Sequence, residues 1–211
     1  MQLWVSMAFA ADPCSDPAQV AAVTAEVTRL YDEGEADKAD RSATATSVLA
    51  RDEARVKDVQ KLDRKGELCA VEDKWRAAWI MTQSDDLDVL ERAYALAEET
   101  MNAHYANGAW LVAFTFDLKR TAGGFRQSYG SQTRVNERSQ ICLIEVEPDV
   151  TDAERAAFGQ RPIAEVYRSV LDQNGFQKDP ATLETVKKRG LYCPPVAISR
   201  SAQKKVAPPP Q

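Results

Sequence analysis

The chain has 211 residues, room for one sizeable core or a core with a small subdomain. Its 44% hydrophobic and 28% charged residues fit an ordinary soluble globular protein, and a net charge of −5 argues against nucleic acid, whose phosphates need clustered lysine and arginine. With His104 the only histidine and no closely spaced cysteines, the usual zinc patterns are excluded, and no metal or other cofactor is expected.

Residues 3–11 are apolar and end in Ala8-Phe9-Ala10-Ala11, an A-x-A shape that signal peptidase accepts, although the basic segment that normally precedes it is missing. Residues 1–11 therefore read as a signal-peptide remnant or an apolar arm, and the rest as a periplasmic or secreted protein. No other run is long enough to span a bilayer, so no integral membrane segment is expected. Cys14, Cys69, Cys142 and Cys193 form an even set that fits two disulfides in an oxidising compartment. Three pairings are open; Cys14–Cys69 with Cys142–Cys193 is favoured because it staples each end onto the body.

Asp16 or Ser15 caps a first helix, with Pro17 in its first turn and Val20, Val23, Val27, Leu30 and Tyr31 at helical spacing. Residues 34–46, small and polar, read as a connection. Leu49, Val56, Val59 and Leu62 place a second helix over 47–65, closed by Gly66. A third covers 72–82 with Trp75, Ala78, Trp79 and Met81 inward; Ser84 caps a fourth that runs to the Asn107-Gly108 break. The fifth, 109–122, is apolar over most of its surface. Two short strands, 133–135 and 141–146, follow around a polar turn. Three more helices are expected over 152–158, 162–171 and 180–188. The fold class is mainly α: a compact helical bundle with Sel1- or tetratricopeptide-like helical-hairpin packing and a small β-hairpin near 132–147. Residues 12–200 form one helical domain, and the tail 201–211 reads as disordered.

The stretch GFRQSYGSQ, 124–132, concentrates amides and hydroxyls: Gln127, Ser128, Tyr129, Ser131 and Gln132. It lacks the glycine spacing and lysine of a P-loop and the G-x-S-x-G of a nucleophile elbow. It reads as the loop joining the helices to the hairpin and as the wall of any cleft. Asp117, alone in the most apolar helix, needs a partner. Arg41 and Arg120 are candidates, as are the amides of Gln127 and Gln132. With Asp37, Asp40 and Gln83 these residues form the candidate polar network.

The order D-x-x-D-R (Asp37, Asp40, Arg41), R-D-E-A-R (51–55), G-E-L-x-x-x-E-D-x-x-x-A-A-x-x-x-x-Q (66–83), A-x-x-L-A (93–97), A-W-L-x-A (109–113), Asp117, G-x-x-Q-x-Y-G-S-Q (124–132) and E-P-D-V-T-D-A-E-R (147–155) resembles an uncharacterised bacterial family, a domain of unknown function with a P-Q-x-Y-G-T-Q signature. The likeness spans roughly residues 25–172 and brings no established reaction, substrate or partner. The chain departs from the family pattern at three places. Ser84 follows Gln83 where the family has histidine, Leu118 follows Asp117 where it has arginine, and Arg126 precedes Gln127 where proline is usual. If that histidine and arginine are chemical in relatives, both are lost or displaced here, which weighs against an enzyme.

The reading that follows is a non-catalytic binding or interaction module, with another protein as partner. The alternative is a hydrolase using Asp117 with Asp37 or Asp40 and the Gln-Tyr-Gln loop. His104, near a helix C-terminus, is better placed to meet the helix dipole than to serve as a base. A tryptophan platform for sugars is disfavoured, because Trp75, Trp79 and Trp110 fall on core-facing stripes.

Overall fold

A computed structural model describes residues 12–40 and 44–196; the apolar arm 1–11, Arg41 and the tail lie outside the described residues. The Asp16 carboxylate accepts from the Ala18 N–H and Pro17 fills the first helical position, which starts α1 (Pro17–Ala39). This helix runs on to Ala39, into the first part of the stretch expected to be a connection, despite Gly34. Continuing it lays the Arg55 side chain over Gly34, where an added Cβ would stand 3.5 Å from Arg55 Nε. It also delivers Asp37 to Arg51 at 2.8 Å and Arg55 at 2.7 Å on α2 (Ala45–Arg64). Buried Val27 and Val59 contribute to the core of these first helices.

Ala77, Ala78 and Met81 are fully buried in α3 (Val71–Met81), and α3 packs on α4 (Leu87–Asn102), which packs in turn on α5 (Gly108–Ala122). Asp86, not Ser84, caps α4 by accepting from the Asp88 N–H. Trp75 and Trp79 are half-buried rather than inward. They belong to a ladder of rings, Tyr31, Trp75, Trp79, Trp110 and Phe114, with centroids 5.1 to 6.3 Å apart, that covers the core. Gly108 allows the α4–α5 corner: a Cβ there would lie 2.8 Å from the Met101 backbone nitrogen. The corner begins with a Schellman motif in which His104 N–H bonds Met101 C=O and Tyr105 N–H bonds Thr100 C=O, with exposed His104 at φ 55°.

β1 (Thr133–Val135) and β2 (Ile141–Ile144) form the expected antiparallel pair, with Thr133 opposite Leu143. A third strand that the sequence did not announce, β3 (Tyr192–Cys193), pairs parallel with β2 and makes a sheet of order β1-β2-β3. Between them lie α6 (Asp152–Ala157), opened by a Thr151–Glu154 capping box, α7 (Ile163–Gln173) and α8 (Leu183–Lys188). Val166, Val170 and Leu171 of α7 join Leu143, Val186 and Leu191 in a second core, separate from the helical one.

All four cysteines are paired, as Cys14–Cys69 and Cys142–Cys193. Cys14 is exposed in the short turn at 13–15, whereas Cys142 is fully buried and ties β2 to β3. The protein is thus mainly helical with a small sheet. Among the described residues no helix is long and apolar enough to cross a membrane.

Candidate functional site

α5 sends one charged side chain wholly inward: Asp117, 0% exposed. Just beyond its C-terminal glycines the chain doubles back, and the amides of the returning loop converge on that carboxylate. Oδ1 accepts from the Ser128 N–H at 2.6 Å and the Tyr129 N–H at 3.0 Å. Oδ2 accepts from the Ser131 N–H at 3.1 Å and the Ser131 hydroxyl at 3.0 Å. Burial pushes the Asp117 carboxyl up from its ordinary range, while the Tyr129, Ser131 and Ser128 amides pull it down.

The fully buried Gln127 carboxamide ties the same loop to the sheet. Its Nε2 donates to the Gln132 carbonyl at 2.9 Å and the Ile144 carbonyl at 2.7 Å; its Oε1 accepts from the Gln132 N–H at 2.7 Å. Gln127 also pairs by its backbone beside Val146, and Gln132 Nε2 donates back to Phe114 C=O of α5 at 3.2 Å. The fourth anchor comes from α6. Arg155, 1% exposed, donates through Nη1 to the Tyr129 carbonyl. Gly130, at φ 76°, lies beside it: an added Cβ would meet Arg155 Nη1 at 3.0 Å. A loop rich in hydrogen-bonding groups is therefore held from behind on every side, which satisfies its buried backbone.

Four of the sequence candidates meet here: Asp117, Gln127, Tyr129 and Gln132. Arg120 stands beside them but does not neutralise Asp117, because its Nη2 bonds Glu147 at 2.7 Å and its Nε the Arg126 carbonyl at 2.6 Å. Asp37 is engaged with Arg51 and Arg55 between α1 and α2, and Asp40 ends α1, its N–H on Ala36 C=O. Gln83 donates to the neighbouring Thr82 hydroxyl at 2.9 Å. Among the described residues no hydrogen bond joins Asp117 to Gln83; Asp37 is held between α1 and α2, and Asp117 by the loop. Arg155 and the Ser128 and Ser131 amides escaped sequence reasoning. Arg155 lies inside the T-D-A-E-R run, a helix start whose arginine pattern alone places on the surface; backbone amides carry no residue-type signal at all.

The outer face of the loop is open. Ser128 and Tyr129 line a cleft of about 700 Å³ with Tyr94, Phe116 and Phe158. The Tyr129 ring stands 6.0 Å from Phe116 and 5.0 Å from Phe158. Glu147, Asp149 and Glu154 bring three carboxylates to this cleft; Arg120 pairs with Glu147, and the Lys119 ammonium lies 4.3 Å over the Tyr94 ring. Gly130 and Ser131 line a second cleft of about 370 Å³ with Trp110 and Phe114. The loop is thus a wall between two clefts at the junction of the two cores, a preferred place for ligands. His104 lies in none of these clefts, and no group of three metal-ligating side chains occurs among the described residues. No protein-family model, curated protein or solved structure matches the chain.

Proposed function

We propose that the protein is a non-catalytic interaction module of the periplasm or extracellular space, with another protein as partner and the Tyr129 cleft as contact surface. One observation carries the reading. Both oxygens of Asp117, the one carboxylate buried at the loop, are taken up by three loop amides and a hydroxyl, while the opposite face of that loop presents Tyr129 to an open aromatic cleft. A general acid or base needs a lone pair or proton aimed at a substrate, and Asp117 aims at its own backbone. An aromatic floor with an acidic rim suits a partner segment that sets an apolar side chain beside lysine or arginine. Two disulfides support an oxidising compartment. Kinship with the family of the P-Q-x-Y-G-T-Q signature is part of the proposal.

The test sets both readings side by side on wild type, Asp117→Asn and Tyr129→Ala. Wild type is expected to turn over none of a panel of chromogenic glycosides and esters. It is expected to bind peptides that pair phenylalanine with lysine, with binding lost in Tyr129→Ala at a temperature where that variant remains folded. Turnover that disappears in Asp117→Asn while Tm holds would establish the hydrolase reading instead.

A further inference from the structure

Arg155 is a buried guanidinium that the fold leaves half used. The group carries five N–H donors in a planar fork. Nη1 donates to the Tyr129 carbonyl. Nε is buried and makes no hydrogen bond; the facing oxygen, Asp152 Oδ1, is 3.6 Å away and already accepts from the Ile163 N–H at 2.8 Å. Nη2 makes no hydrogen bond either, among the described residues. Burying donors without acceptors is costly, and cationic donors most of all. The open pair matters geometrically. Nε and Nη2 form the side-on edge of the fork, the edge whose parallel N–H groups match the two oxygens of one carboxylate.

That side chain lines a third cleft, about 280 Å³, walled by Tyr167, Tyr192, Ile163 and Leu183. Its charges do not cancel. Glu145 is held by Arg126 at 3.0 Å and Glu147 by Arg120 at 2.7 Å, whereas Lys187 is exposed and, among the described residues, in no ion pair, its ammonium 5.3 Å from the Tyr192 ring. Arg155, with only the 3.6 Å pair to Asp152, and Lys187 are the least neutralised cations of its lining. Asp152, half exposed, faces this edge only at 3.6 Å, with its Oδ1 committed to the Ile163 N–H.

We propose that this cleft is an anion site that takes a carboxylate carried on an apolar or aromatic body, with the carboxylate on the Nε/Nη2 edge of Arg155 and assisted by Lys187. It lies on the sheet side of the loop and does not depend on the Tyr129 cleft being a contact surface. A free organic acid and the C-terminus of a peptide share this chemistry, and the experiment separates them.

Phenylacetate, its neutral amide, an acetylated Leu-Phe dipeptide with a free C-terminus and the same dipeptide amidated are titrated into the whole protein. The readout is NMR of the arginine Nε–H resonances, with Arg155 assigned by its loss in Arg155→Lys. The acids are expected to shift the Arg155 resonance and to bind about tenfold more tightly than their amides. Lys187→Ala, a surface change that leaves Tm in place, is expected to weaken the acids severalfold and the amides not at all. Tighter binding of the dipeptide acid than of phenylacetate identifies a peptide C-terminus as the source; the reverse identifies a small acid. Equal binding of acid and amide, or an Arg155 resonance unmoved by either acid, overturns the proposal. So does a Lys187→Ala variant that binds the acids as wild type does. Because Lys187→Ala leaves the loop anchors intact, a folding defect in Arg155→Lys does not obscure the result.

Discussion

Replacing Asp117 by asparagine turns one oxygen into an NH₂ group and removes the charge while keeping the shape, in a site with no exposed surface. Whichever oxygen is lost, the amide must point donors at donors. If Oδ1 is kept for Ser128 and Tyr129, the Ser131 hydroxyl can turn to accept from the new NH₂, but the Ser131 N–H loses its partner. A hydrogen bond to a charged group is worth about 1.5–3 kcal/mol, and a stranded buried N–H costs about 1–3 kcal/mol. Removing the buried charge offsets part of this, since burial disfavours the ionised form here. The balance is a loss of about 3 kcal/mol, or roughly 6–12 °C in Tm at this chain length. Urea unfolding at neutral pH, followed by tryptophan fluorescence, measures it directly. An Asn variant within about 0.5 kcal/mol of wild type, the range of an indifferent surface change, would refute the claim that this carboxylate holds the loop.

Four further outcomes follow from the geometry. Gly130→Ala combines φ 76° with a contact of 3.0 Å to Arg155 Nη1, and a loss of about 1–3 kcal/mol is expected in the same urea assay. His104→Gly relieves a non-glycine residue at φ 55° in a Schellman motif and should raise stability by about 1 kcal/mol, read as a higher urea midpoint. The Arg51 hydrogen bond, with Arg55 behind it, holds the Asp37 carboxyl down to about 2 from an ordinary 3.8. A depressed folded-state value means that its stabilising contribution is complete above pH 3.8 and fades as pH falls toward 2; acid titration of Asp37→Asn should lack that step. Limited reduction followed by alkylation and peptide mass mapping should label exposed Cys14 before buried Cys142. Opening its 55-residue separation should cost about 4 kcal/mol on the loop-closure account.

Helix positions were legible because apolar spacing and capping chemistry sit in the residue types themselves. The extension of α1 was not. Gly34 and a polar run argue locally for a break, and the reasons to continue, Arg55 over Gly34 and Asp37 between two arginines, come from another helix. β3 is two residues ahead of Pro194-Pro195, too short for any alternation to register, and its partner lies far back in the chain. At the site, the need of Asp117 for a partner could be read from a charge in an apolar helix. The partner could not, because it is main chain: pattern reasoning looks for an arginine, and the loop supplies amides. The same blindness hid Arg155, whose burial depends on the closeness that Gly130 permits.

The two disulfides are consecutive along the chain and not interlaced: the first closes before the third cysteine is reached. A chain delivered N-terminus first into an oxidising space, with each new thiol joined to the one before it, therefore arrives at the native pairing without reshuffling. The helical body, built from contacts between neighbouring helices, can fold and seal Cys14–Cys69 while the sheet is still incomplete. The second core cannot close until Leu191 and Cys193 arrive beside β2. For a chain so delivered, order of emergence alone writes the covalent topology, and an isomerase has nothing to correct.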